Sequence, residues 1–511
     1  MSMTYFRTTF IALAAAIPLA ARAQTATETK AAEFDAYVAQ AVKDWQAPGL
    51  AVSVVKDGRI IFAKGYGVRE VGKAAAFDTA TVSAIASTTK AMTAAALGIL
   101  VDGGKVKWDD PVTKYLPSFQ LYDPYATREI RVRDLLTHRA GLGNADYLWA
   151  LADLPAAAMM KKLSLIKPAY SLRSDFIYQN VMYIAAGQVI EAASGIPWAK
   201  FVQTRLFDPI GMRNTYPTAS LVPPSANAAV PHWRYGRDTI VAIRRDQAQG
   251  LGAAGDVWSS VADMSKWMLF LLDSAKVNGK RLLQPATFAE LFAPQVVVPL
   301  DEFYPTAELT KPHWMTYGLG WYQHDYQGRM LNFHTGSLNG TVAIVGLVRD
   351  ESFGVYVLSN RDHVEVRHAL MYKAIDLFLG NRARDWSRDL LALYDARRAR
   401  ADSSRAAREA RRIKGTKPSL ELSKYAGVYE DELLGRMTVT ETNGRLRLDA
   451  GPSLKGEMDH WQYDRFRARY DDRWQGTDFI TFTIGEGVAS ALEIAGFTLK
   501  RVGRTAATEA H

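Results

Sequence analysis

The chain has 511 residues, 48% of them hydrophobic and 23% charged, with 62 Lys+Arg against 53 Asp+Glu and a formal net charge of +9. That length exceeds one ordinary domain and supplies ample core, and the composition excludes disordered, collagen-like and low-complexity chains. With no cysteine in the sequence, disulfides, thiolate metal sites, iron–sulfur clusters and cysteine nucleophiles are excluded.

The first residues carry one positive charge at Arg7, a short apolar run over 10–19 and the small-x-small pattern Ala21-Arg22-Ala23. This reads as a secretory signal peptide over residues 1–23, cut after Ala23, which places the mature protein in the periplasm or outside the cell. The apolar run is interrupted by Pro18 and is about half the roughly 20 residues of a membrane span, so no transmembrane anchor is expected. A helical pattern follows over 31–45. Apolar runs over 50–55 and 60–63, split by Lys56-Asp57-Gly58, predict a β-hairpin. Helical patterns cover 87–101, ending at Gly103-Gly104, and 181–193. Strand-like runs return at 330–334, 342–349 and 354–359. Helices in the middle with strands at both ends predict an α/β (α+β) domain whose sheet unites distant parts of the chain.

Composition changes near residue 382. The segment 382–414 holds 11 Lys+Arg and 5 Asp+Glu and lacks Gly and Pro, which predicts a long solvated helix ending at Gly415. Beyond it the pattern is all β: alternation over 437–442 and 445–448 flanks the hairpin signal Asn443-Gly444, and strands continue at 479–484 and 491–500. The expected division is a hydrolase domain over 24–381, a basic helical linker over 382–418 and a small antiparallel β-barrel or lipocalin-like domain over 419–507.

Three short motifs carry chemistry. In Ser87-Thr88-Thr89-Lys90, residues i and i+3 share a helix face, so the Lys90 amine can reach the Ser87 hydroxyl, and a helix N-terminus favours a developing alkoxide. A desolvated Lys90 could lose its proton and act as a base. The same pattern occurs in Ser164-Leu165-Ile166-Lys167, but Pro168 follows and pushes Lys167 out of helical geometry. Tyr178-Gln179-Asn180 lies 91 residues after Ser87, and His334-Thr335-Gly336-Ser337 a further 156 on.

In order and approximate spacing these motifs resemble the serine β-lactamase-related hydrolases, which include class C β-lactamases, penicillin-binding proteins, D-aminopeptidases and esterases. Leu135 to Leu142, Phe207 to Met212 and Ala253-Ala254-Gly255 are similar to further elements of that family, and the resemblance covers about residues 30 to 380. It implies the β-lactamase/transpeptidase-like fold, an antiparallel sheet flanked by helices plus a mainly helical subdomain. It also implies roles. Ser87 is the acylated nucleophile and Lys90 shares its proton. Tyr178, as phenolate or through the Lys90 network, relays the proton. Asn180 orients Lys90 or a substrate carbonyl, and the N–H groups of Ser87 and Ser337 form an oxyanion hole, with Gly336 permitting close backbone approach. Thr335 completes the substrate-binding strand. Many penicillin-binding members carry Lys where this chain has His334; with an ordinary pKa of about 6.5, His334 is mostly neutral at neutral pH, which weakens anchoring of a β-lactam carboxylate. His138 reads as structural. Tyr147, Trp149, Trp233, Trp314, Tyr317 and Trp321 are candidates for a cleft lining, with packing the ordinary alternative.

No metal-binding pattern, phosphate loop or Gly-x-Ser-x-Gly elbow is present, so neither metal nor cofactor is expected. The expectation is an exported serine hydrolase acting on peptide amides, including D-residue-containing peptides, linearised cyclic peptides or cell-wall fragments. The alternatives are a carboxylesterase with the same site, a weak β-lactamase, or a non-catalytic peptide-binding or sensor protein. The partner is then a small peptide or ester substrate, with the oligomeric state open. Signal-peptide removal takes Arg7 and Arg22, leaving +7, of which the segment 382–414 carries +6. The high charge therefore reads as a solvated linker with weak attraction to an anionic envelope surface, and no nucleic acid is expected as a partner.

Overall fold

Two apolar stretches more than 280 residues apart in sequence meet as neighbouring strands. Gly49–Lys56 pairs antiparallel with Phe353–Ser359 in the register Leu50↔Ser359 to Lys56↔Phe353, so the sheet closes only when both ends of the hydrolase region are present. The computed structural model describes residues 17–236, 239–245, 250–380 and 384–503. The sheet has eight strands in the order Arg59–Gly67, Gly49–Lys56, Phe353–Ser359, Thr341–Val348, Arg329–Leu338, Tyr322–Tyr326, Met315–Tyr317 and Val296–Val297. All eight residues of Thr341–Val348 are buried, because helices cover both faces. Side chains alternate across a strand: Ala343, Val345 and Leu347 join the core of the helices Thr89–Asp102, Asn180–Ser194 and Val261–Leu272, while Val342 and Ile344 join that of Ile17–Asp44 and Val366–Ile375.

The expected hairpin is present, with Asp57 and Gly58 both at positive φ as a tight two-residue turn requires. The expected helices at 87–101 and 181–193 are Thr89–Asp102 and Asn180–Ser194. The helix expected over 31–45 is longer, Ile17–Asp44, and crosses the expected cleavage point after Ala23; residues 1–16 of the expected signal peptide lie outside the described residues. Among the described residues no helix is long and apolar enough to cross a membrane.

The charged segment forms the helix Trp386–Ala410, but it is clamped at both ends instead of lying free in solvent. At its start Trp386 stacks on Tyr372, ring centroids 4.7 Å apart, and donates from Nε1 to Asp376 at 2.7 Å, while Leu390 is fully buried. Towards its end Glu409 pairs with Arg467 at 2.9 Å, and just beyond it Arg412 donates to the Trp461 carbonyl at 2.7 Å. The C-terminal region is a closed antiparallel barrel of eight strands between Gly427–Asp431 and Phe497–Gly503, the last pairing with the first and leaving no open edge. The stretch 491–500, read as one strand, is divided between Val488–Ile494 and Phe497–Gly503. The turn uses Ala495 and Gly496 at positive φ; an alanine in that conformation carries no turn signature in the sequence. The barrel is docked on the hydrolase region through Tyr147 against Phe497 at 4.7 Å and Arg244 with Asp472 at 2.6 Å.

Trp386→Ala removes a buried ring and leaves the Asp376 oxygen short of a donor, so it should cost about 3–5 kcal/mol of stability. Urea unfolding measures this; a cost under about 1 kcal/mol, the size of a surface change, would show that the helix is not anchored there.

Candidate active site

The site is built where three separate segments close on one backbone turn. Ser87 lies in the one-turn 3-10 helix Ala86–Thr88 that runs directly into Thr89–Asp102, one turn short of the regular helix expected for it. Ala86 has φ +46, a left-handed conformation that costs a non-glycine residue on the order of 1 kcal/mol and that the surroundings must hold. The strand Arg329–Leu338 supplies the clamp. A Cβ on Gly336 would lie 2.1 Å from the Ile85 carbonyl oxygen, so only glycine lets this strand lie against the nucleophile turn.

Lys90 is fully buried and its Nζ has three neighbours: Ser87 Oγ at 3.1 Å, Asn180 Oδ1 at 2.6 Å and the Ala254 carbonyl at 2.8 Å. Asn180 is oriented by Asp146, whose carboxylate accepts from Asn180 Nδ2 at 3.0 and 3.1 Å, so the amide oxygen faces the lysine. Desolvation lowers the Lys90 pKa to about 7, with the Asp146 charge opposing it. This determines the hydrogen-bond directions. An ammonium donates to all three neighbours. A neutral amine has two N–H groups and one lone pair, and of its three neighbours only Ser87 can donate. Neutral Lys90 therefore points its lone pair at the Ser87 hydroxyl, the geometry of a general base.

Tyr178 is half-buried, with its ring 4.8 Å from Lys90 Nζ and the Ser87 side chain partly offsetting the effect of burial on its phenol. Desolvation drives its phenol well above the ordinary value. The phenolate role is thereby corrected: Tyr178 keeps its proton and acts through the Lys90–Ser87 network. His334 is also revised. Its Nδ1 lies 2.6 Å from the Thr335 carbonyl, which can only accept, so Nδ1 carries the proton and Nε2 accepts from Tyr317 Oη at 2.9 Å. Burial and the Lys90 charge lower its pKa to about 3, so it stays neutral far below the pH at which an ordinary histidine titrates. With both ring nitrogens engaged and 1% exposure, His334 supports the site from behind. Thr335 is likewise turned inward, its hydroxyl 2.6 Å from Tyr304 Oη. Ser337 is partly exposed and its Oγ accepts from Arg367 Nη1 at 2.9 Å; the same guanidinium donates to the Gly336 carbonyl and is held by Glu365 through two bonds of 3.0 Å.

His138 is structural: its Nδ1 accepts the Gln179 N–H at 2.9 Å and its ring lies 4.3 Å from Tyr178. Lys167 of the second motif copy is exposed, and Ser164 Oγ donates to the Lys161 carbonyl. Of the aromatic candidates, Tyr317 and Trp321 are buried, Tyr147 packs on the barrel, and Trp149 donates to Asp146 at 2.9 Å. Asp146, Ala254 and Arg367 were not singled out as site residues, since they reach it through tertiary packing and no motif spacing marks them; Tyr317, a candidate for a cleft lining, instead holds His334 from behind. Ala254 is the partial exception, lying in the Ala-Ala-Gly element of the family resemblance. Among the described residues no three His, Asp or Glu side chains gather as a metal site.

A serine hydroxyl beside a buried lysine and a tyrosine, on an antiparallel sheet between helices, is the arrangement of a serine β-lactamase-like hydrolase. The beta-lactamase family model matches residues 34–379, and the chain belongs to that family. Residues 411–505 match a domain of unknown function (DUF3471). Over 512 aligned residues the chain is 27% identical to the unguisins hydrolase of Aspergillus violaceofuscus, covering 92% of this chain and 86% of that protein. Among solved structures, the octameric penicillin-binding protein homologue from Pyrococcus abyssi has a TM-score of 0.60 at 22% identity, covering 92% of this chain and 99% of its own. A D-stereospecific amidohydrolase from Streptomyces has a TM-score of 0.53 at 22% identity, covering 68% and 99%.

The Lys90 pKa of about 7 sets the pH dependence. Below it the ammonium cannot accept the serine proton; above it the amine can. Thus kcat/KM should rise with pH through about 7 and then level off. Asp146→Asn removes the charge that favours the ammonium while keeping an oxygen for Asn180, so the midpoint should move to lower pH. A midpoint that stays or rises in Asp146→Asn contradicts this coupling.

Proposed function

We propose that the chain is an exported serine hydrolase that cleaves peptide amide bonds through an acyl-enzyme on Ser87, with D-residue-containing or otherwise unusual peptides as the substrate class. The observation that carries the reading is Ser87 Oγ held 3.1 Å from the buried Lys90 Nζ, which lies 4.8 Å from the Tyr178 ring. Ser87 Oγ attacks the carbonyl carbon as its proton passes to neutral Lys90. The N–H groups of Ser87 and Ser337 face the oxyanion, a donor of this kind contributing about 3 kcal/mol. The C–N bond then breaks, and the departing amine takes a proton passed from Lys90 through Tyr178, which is protonated and so able to relay it. Water, activated by the same pair in reverse, releases the acid and frees Ser87.

Amide cleavage is favoured because its poor leaving group needs that proton delivery. A β-lactam carboxylate finds no fixed cation at His334, which is buried and neutral. The substrate class is supported by the relatives' descriptions, an unguisins hydrolase and a D-stereospecific amidohydrolase. Export rests on the signal-like pattern of residues 1–23. The division into a hydrolase domain over 24–381, linker over 382–418 and β-domain over 419–507 is likewise part of this reading.

The test is labelling with a fluorophosphonate followed by peptide mapping, together with turnover of D-amino acid amides, short peptides, p-nitrophenyl esters and nitrocefin. A single adduct on Ser87 and amide turnover that falls about 10⁴-fold or more in Ser87→Ala, with Ser164→Ala unchanged, is expected. Ester turnover without amide turnover would make the protein an esterase, and no adduct on Ser87 would sink the catalytic reading.

A further inference from the structure

A cleft of about 1250 Å³ lies between the hairpin His232–Tyr235/Thr239–Ala242, the helix Trp386–Ala410 and the barrel, and none of its lining residues belongs to the Ser87 site. Eight arginines and four carboxylates line it. The carboxylates are taken: Asp395 by Arg398 at 3.1 Å, Asp402 by Arg405 at 3.7 Å, Glu409 by Arg467 at 2.9 Å and Asp362 by His363 at 2.6 Å. Arg361, Arg408 and Arg473 are left with no carboxylate partner among the described residues. The connecting helix is exposed along most of its length, as the sequence suggests, and its own charges balance where it lines the cleft; the positive excess comes from Arg234, Arg361, Arg467, Arg469 and Arg473 on the other walls.

Arg361 is the second and independent sign of a ligand. It is 2% exposed, gives Nη1 to the carbonyls of Trp45 and Gln46, and has a buried Nε with no partner. Burial and the neighbouring Arg234 and Arg398 charges lower its pKa to about 10. The charges of Asp362 and Glu365 oppose that shift only in part and neither forms an ion pair with Arg361; a buried cation so incompletely compensated is costly, and a bound anion would add counter-charge. Three of the five rings that line the cleft already carry one of the chain's own guanidinium groups: Arg473 over Tyr235 at 5.0 Å, Arg408 over Phe479 at 5.6 Å and Arg244 over Trp474 at 5.9 Å; of the other two, Tyr470 is buried in the barrel core. Stacking of nucleobases, which needs free aromatic faces, is thereby disfavoured, and an acidic peptide would gain little apolar contact. What remains to be read is dense negative charge, and the guanidinium fork matches phosphate in two parallel bonds.

We propose that this interdomain cleft binds a compact soluble oligoanion carrying two or more phosphate groups. Its occupant bridges the helix and the barrel, through Arg408 on one side and Arg473 on the other, over the buried Arg361. The experiment is calorimetric titration of the full-length mature chain with tripolyphosphate at low and high salt, with hexaglutamate, a thymidine hexanucleotide and phosphatidylglycerol vesicles as separate arms. Saturable one-to-one binding of tripolyphosphate is expected, weakened by salt and about tenfold weaker in each of Arg408→Glu and Arg473→Glu, the loss of one charge-assisted contact. Both residues are exposed, and unchanged ester turnover in these variants shows that they fold. Arg388→Glu, on the same helix but outside the cleft, should bind as the parent does. The proposal is overturned by no saturable binding at millimolar tripolyphosphate, by an equal loss in Arg388→Glu, by tighter binding of hexaglutamate or the oligonucleotide, or by binding to vesicles alone.

Discussion

The Lys90 side chain is held away from water with three hydrogen-bond partners and no carboxylate in contact with its nitrogen. Those partners can satisfy an ammonium, but the lack of solvent penalises its charge, and the balance lowers the pKa to about 7. Because only one of the three can reverse its hydrogen bond, losing the proton and turning the lone pair to the Ser87 hydroxyl are the same event. Each surrounding feature adjusts that balance: Asp146 orients Asn180 and supplies an opposing charge, Tyr178 and Tyr183 close the space above the nitrogen, and the Gly252–Ala254 turn presents a carbonyl.

The fold delivers these groups from distant parts of the chain. The long strand Arg329–Leu338 fixes the backbone beside Ser87 through Gly336, and the Arg367–Glu365 pair fixes that strand from the next helix. Removing either member of such a buried pair leaves an uncompensated charge, which costs about 3–5 kcal/mol, so the far side of the sheet bears on the backbone geometry beside Ser87. The barrel is not remote from this. Tyr147, which it covers with Phe497, is the residue next to Asp146, so docking of the barrel supports the loop that orients Asn180.

Much of this was legible in the sequence because it is local. The i, i+3 spacing of Ser87 and Lys90, the Pro168 that disables the second copy, and the paired turn residues Asn443-Gly444 each express short-range geometry. The direction of a shift set by burial was not. His334 looked like an ordinary titrating histidine, and Tyr178 a possible phenolate, until the structure showed what surrounds them. Asp146 acts on Lys90 across 56 residues of sequence through an amide whose orientation it sets, and no pattern encodes that. The charge of the connecting helix was countable, but the gathering of Arg361, Arg467, Arg469 and Arg473 around one cleft depends on where the hairpin and barrel lie.

The chemistry of the site turns on one protonation state. Selective ¹³C labelling of lysine and an NMR titration of the Cε shift measures the Lys90 pKa directly, with Lys90→Arg assigning the signal. A midpoint near 7 is expected; a midpoint at the ordinary 10.5 would mean that Lys90 stays an ammonium at working pH and that the Ser87 proton has another acceptor.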